Sequence, residues 1–173
     1  MTDIVNTTIA VARVGLFLTN YTGYKFTKRV QDEASIRQWL MIKLGSAHQN
    51  GLKVLEISHS NSNTELSKVM KSILDNIETF KNDSNLAVSG TKGNFFTSES
   101  TATVASITQL IEYDIVILER TEKISLALTS LSKAIMAKEE GILPAAIDIS
   151  TAILEIHNKF RERVKYIRGF GHK

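Results

Sequence analysis

The stretch SESTATVASITQLIEYDIVILERTEKISLALTSLSKAIMAKEEGILPAAIDIS, residues 98–150, decides the fold. Apolar residues recur through it at helical spacing. Val104, Ile107, Ile111, Ile115 and Leu118 form one stripe; Ile124, Leu128, Leu131 and Ile135 form a second. Steps of three and four residues put such positions on one face of a helix. Val104, Ile111 and Leu118 share a heptad position, which Leu128 and Ile135 resume after a slip near Thr121. The pattern predicts one helix of about 40 residues, capped at Ser98 or Ser100 with Glu99 in its first turn. At 1.5 Å per residue it would be about 60 Å long. A helix of that length projects, or packs along equally long partners.

Its end is punctuated. Glu139-Glu140-Gly141 reads as a stop, with Gly141 as a left-handed cap. Pro144 then opens a new helix at a position that needs no backbone donor. Ala146, Ile149, Ile153, Ile156, Phe160, Val164 and Ile167 form the new seam. So short a break predicts an antiparallel, coiled-coil-like hairpin over residues 99–168.

Working back toward the N-terminus, residues 81–98 (KNDSNLAVSGTKGNFFTS) lose the period and predict a long loop at 82–98. Phe95 and Phe96 are expected to fold back onto the core as a staple across the next helix start. Leu66, Val69, Met70, Ile73, Leu74, Ile77 and Phe80 predict a helix from a cap at Asn63 or Thr64 to about Phe80. A polar break at 58–63 precedes it. Residues 29–58 hold an apolar face through Ile36, Trp39, Leu40, Leu44, Ala47, Gly51, Val54 and Leu55. Gly45 and Gly51 weaken that helix by about 1 kcal/mol each. Residues 3–18 fit a helix capped by Asp3 better than a strand, since alternation would put Arg13 on the apolar face. Residues 20–23 read as a turn. The expectation is one all-α domain over 1–173: a bundle of about five helices ending in a long hairpin, with a flexible basic tail at 169–173.

Composition agrees. The 173 residues include one Pro, nine Gly and no Cys. Usual proline usage of about 5% would give roughly nine. Without Cys there is no disulfide framework, thiolate nucleophile or Cys-ligated metal. The most apolar stretch, residues 4–18, is shorter than the roughly 20 residues of a membrane span and carries polar groups. No basic start precedes it, as a signal peptide requires. The expected location is cytoplasmic.

Chemical motifs are sparse. Neither phosphate-loop pattern occurs, and Gly90-Thr91-Lys92-Gly93 reads as a plain turn. Glu56 and His59 make one ExxH, where a di-iron site needs two and further carboxylates. Asp114 lies beside a buried stripe, as a flank position or an ion pair. No nucleophile elbow or SxxK arrangement appears. No enzyme, metal or cofactor is predicted, and no small-molecule substrate is evident.

Charge is the clearest asymmetry. The last 19 residues hold Lys159, Arg161, Arg163, Lys165, Arg168 and Lys173 against Glu155 and Glu162. The other 154 carry 15 bases and 16 acids. With Tyr166, these bases make a candidate surface for an anionic polymer. Lys25, Lys28 and Arg29, with Tyr21, Tyr24 and Phe26, form a second small basic-aromatic patch, which would merge with the first if the turn after the first helix lies near the C-terminal end. Three readings result. The first is a non-catalytic scaffold that self-associates, or binds a protein partner, through long apolar seams. Ile107, Ile111, Leu118, Leu128, Leu131, Ile135, Ile153 and Phe160 are the seam candidates. The second is a nucleic-acid-binding accessory subunit using the basic segment. The third is a membrane-surface protein anchored through residues 4–18.

Overall fold

The structure, a computed structural model, describes residues 2–86, 94–99 and 102–170. It is all-α, with no strand among the described residues. The helices are α1 (Thr2–Gly15), α2 (Arg29–Ser60), α3 (Thr64–Leu86), the single turn α4 (Asn94–Thr97), α5 (Val104–Met136) and α6 (Ile142–Gly169).

Hydrogen-bond register gives the directions. Tyr166 pairs with Ser106, Arg163 with Asp114 and Arg120 with Glu155. The separations shrink toward the turn, so α5 and α6 form the expected antiparallel hairpin. Lys43–Glu122 and Asn50–Thr129 are both 79 positions apart, so α2 runs parallel to α5. Ser58 meets Ser67, and the site of a Cβ on Gly51 meets Leu74, so α3 returns antiparallel to α2. The four long helices close a ring in the order α2, α3, α6, α5. α1 lies outside it, against α5.

This ring corrects the seam expectation. Ile111, Leu118, Leu128, Leu131, Ile135, Ile153 and Phe160 are buried within this one chain, and Ile107 is half-buried. The equally long partners that α5 needs are the chain's own α2, of 32 residues, and α6, of 28. Lengthwise packing buries both stripes apart from Val104, which is 55% exposed, and the half-buried Ile107.

Helix ends shift for local reasons. α5 has 33 residues, not about 40, and starts after Thr103. The Thr103 hydroxyl accepts the Ser106 N–H at 3.2 Å, and Ser106 Oγ accepts the Thr103 N–H at 2.9 Å. This capping box satisfies two otherwise unpaired donors. Ser98 is not helical, and Ser100 lies outside the described residues. At the other end the left-handed residue that closes α5 is Lys138, with φ 57°, rather than Gly141. Lys138 N–H donates to Ile135 O and Glu139 N–H to Ala134 O, a Schellman closure. Gly141, also left-handed, instead leads into α6, with Pro144 in its first turn. Ser62 closes α2 as Lys138 closes α5. Asn63 caps α3 by accepting the Leu66 N–H. α1 begins at Thr2, so Asp3 lies inside it.

The predicted loop at 82–98 also shrinks. α3 runs six residues past Phe80 because its polar side chains have partners. Ser84 Oγ donates to Phe80 O, and Asp83 accepts from Arg161 and bonds His157. Residues 94–97 form a helical turn. Leu86 ends diagonally across the ring from where Val104 begins, which accounts for a long aperiodic stretch. Gly90 to Gly93 lie outside the described residues.

Candidate functional site

Two features stand apart from ordinary core packing. The first is a buried polar network where α2 and α5 begin and α6 ends. Continuing the apolar line of α2 backward from Ile36 lands on Asp32, Glu33 and Arg29, all buried. The Tyr21–Tyr24 turn lies over them. Asp32 accepts N–H bonds from Thr22 (3.0 Å) and Tyr24 (2.8 Å), fixing that turn. Both tyrosine hydroxyls then donate to Asp114 on α5, at 2.9 and 2.7 Å. Arg163 on α6 is fully buried. Its Nε donates to Asp114, its Nη1 and Nη2 to Glu33, and its Nη2 also to the Tyr24 hydroxyl. Side chains from α2, α5, α6 and the first turn thus meet at one guanidinium.

Electrostatics follow from this geometry. Burial pushes the Asp114 carboxyl up to about 6, although Arg163 opposes it. Burial acts the same way on Glu33, but the Arg163 charge and hydrogen bonds outweigh it and hold that carboxyl below its usual range. Burial raises both tyrosines. Arg37, one turn beyond Glu33, differs. It is 5% exposed, its Nε lies 3.7 Å from Glu33, and neither Nε nor Nη1 has a hydrogen-bond partner. Burial lowers its pKa, against the pull of Glu33.

The network revises the basic-surface expectation. Arg163 is enclosed and spent on two carboxylates. Arg29 is buried too, donating to Tyr24 O, Phe95 O and Ser98 O between the Phe26 and Phe95 rings. Neither presents charge to a polyanion. Phe95 is buried against Tyr24 and Phe170, and so joins the N-terminal turn to the end of α6. The two predicted patches therefore do meet, but through their buried members. Of the others, Lys159 pairs with Glu162 and Arg161 with Asp83. Tyr166 donates to Ser106 O. Lys25, Lys28, Lys165 and Arg168 are exposed, and Lys173 lies outside the described residues. From the sequence, the Arg163 partner was legible only as a generic ion pair for Asp114; Glu33 and Arg37 were missed, and Tyr21 and Tyr24, expected in the surface patch, are buried on Asp114 instead. The signal was there: three charged residues on the core line of α2.

A second ionisable cluster sits on α3 and α6. His157 stacks on Phe80 and bonds Asp83 at 2.7 Å. Burial lowers the His157 pKa despite that bond. At the opposite end of the bundle, an open depression of ≈ 190 Å³ lies between the two helix turns, over Leu66, Ile135 and Ile142. Among the described residues, no three or more Asp, Glu or His side chains are placed to hold a metal ion.

The second feature is α1. Ala10, Val14 and Leu18 are buried against the bundle, with Val11 half-buried beside them. The opposite face is also apolar and uncovered: Val5 and Ile9 are each 57% exposed, Ala12 follows them, and Leu16, just past the helix end, is 83% exposed. Arg13, at its edge, is turned onto Glu119 of α5. No helix among the described residues is long and apolar enough to cross a membrane.

No protein family, curated protein or solved structure matches this chain.

Proposed function

We propose that this protein is a non-catalytic helical assembly module whose contact surface is the outer face of α1. The observation that supports this reading is a helix apolar on two faces with only one face covered. A helix apolar all round belongs in an interior, and contiguous exposed apolar residues mark interaction surfaces. The long seams of α5 and α6 are no longer the reason for it. The charged groups at the bundle end support it indirectly. They bind each other across three helices, an arrangement suited to holding a rigid platform under α1.

The test is the protein's native size in an extract of cells that express it. A species larger than one chain, collapsing to one chain in Ile9→Glu, is the expected result. A chain that runs as a monomer in extract, and when purified and concentrated, overturns the proposal.

A further inference from the structure

The outer face of α1 is built for a particular occupant. Val5, Ile9 and Ala12 on α1, with Leu16 in the turn just past its end, follow intervals of four, three and four residues. That is a two-heptad seam, with Ile9 and Leu16 at one core position and Val5 and Ala12 at the other. Beside it run Thr8, Ala12 and Gly15, all exposed and small. Small side chains let a second helix approach closely.

Gly15, the last residue of α1, leaves room for such an approach. A Cβ built on it meets nothing within 4 Å in its own chain, and it is not among the residues with positive φ. Open space at Gly15 is what a close-approaching neighbour would use.

Charge and volume select that neighbour. From Val5 to Leu16 the one charged residue is Arg13, and Glu119 of the same chain already holds it. Two copies of this face meet without repulsion, whereas a polyanion or an acidic lipid surface finds no free cation on it. In an antiparallel pair, Ile9 of one copy faces Ala12 of the other, and Leu16 faces Val5. Each layer then joins a larger residue to a smaller one, and layer volumes match along the seam. A parallel pair would stack Ala12 on Ala12 and Leu16 on Leu16, leaving one layer empty and the next crowded. Antiparallel helix dipoles also attract.

We infer that the occupant is a second copy of this chain, joined by antiparallel pairing of α1 with α1 about a two-fold axis. This rests on the proposed function above and names its partner. A helix face of this length buries less than the roughly 800 Å² per partner of a standard interface. The dimer is therefore reversible and concentration-dependent.

Because the chain contains no Cys, disulfide trapping reports the geometry without background. Tagged Ile9→Cys and untagged Ala12→Cys are purified, mixed and oxidised. Antiparallel pairing yields mainly the tagged–untagged disulfide. Mainly tagged–tagged and untagged–untagged products overturn the inferred geometry. Both variants alter exposed positions, and circular dichroism before oxidation should match the parent chain. A parent chain that stays monomeric when purified and concentrated overturns the second copy as occupant. If Ile9→Glu still collapses a larger species in extract, the broader proposal survives that loss. A parent dimer that persists unchanged in Leu16→Glu overturns α1 as the interface.

Discussion

Arg163 and Arg37 are both buried, yet removing them should have opposite effects. Arg163 compensates Asp114 and Glu33. Its replacement by Met strands two buried carboxylates, and breaking such a pair costs about 3–5 kcal/mol. Arg37 leaves Nε and Nη1 unbonded, and unmet buried donors cost about 1–3 kcal/mol. Arg37→Met should therefore be neutral or stabilising. Urea unfolding of the two variants checks both signs; a large loss in Arg37→Met would show that its weak contact with Glu33 matters. Titration gives a second test. Asp114 should titrate near pH 6 in the folded chain, against an ordinary value of 3.8. A raised carboxyl favours the folded state fully below the unfolded value, and this contribution fades as pH rises through about 6. His157 works the other way. Its depressed pKa means that its stabilising contribution is present above pH 6.5 and is lost as pH falls below it. Carboxyl-carbon and imidazole NMR shifts against pH resolve the two; an Asp114 midpoint below 4 would contradict the account of its burial.

At the scale of elements, helices were legible wherever apolar residues kept their period, and every long helix expected from that period is present. Helix ends were less legible because they depend on backbone states that residue type signals poorly. Lys138 and Ser62 adopt the left-handed conformation usually given to glycine. A polar run such as residues 81–85 stays helical because distant side chains bond it, which a local pattern does not reveal. Two substitutions test the packing. Gly45→Ala should stabilise by about 1 kcal/mol, since a Cβ there meets nothing and alanine is the better helix former. Gly51→Leu should destabilise, because even a Cβ at Gly51 lies 2.9 Å from Leu74 Cδ2, where α2 and α3 cross closely. Thermal melts that rank these variants in the reverse order would contradict the α2–α3 register. Thr103→Ala should cost about 1 kcal/mol through loss of the capping box.

For the whole molecule, the sequence signalled large apolar stripes but not which would be left over. Length decides that. α2, α3, α5 and α6 close a ring that buries their stripes, and α1 is the additional helix, with one face to give to the ring and one to spare. The basic end was visible as composition, yet its central members, Arg29 and Arg163, point inward to fix the ring's end. The central claim is that the spare face of α1 joins one copy of the chain to another. Light scattering of the purified protein from about 1 µM to about 1 mM, a range that brackets weak association, tests it most directly. The predicted molar mass rises from the 19.2 kDa of one chain toward twice that value, while Ile9→Glu stays at one chain throughout. A parent chain fixed at the mass of one chain over the whole range would contradict it.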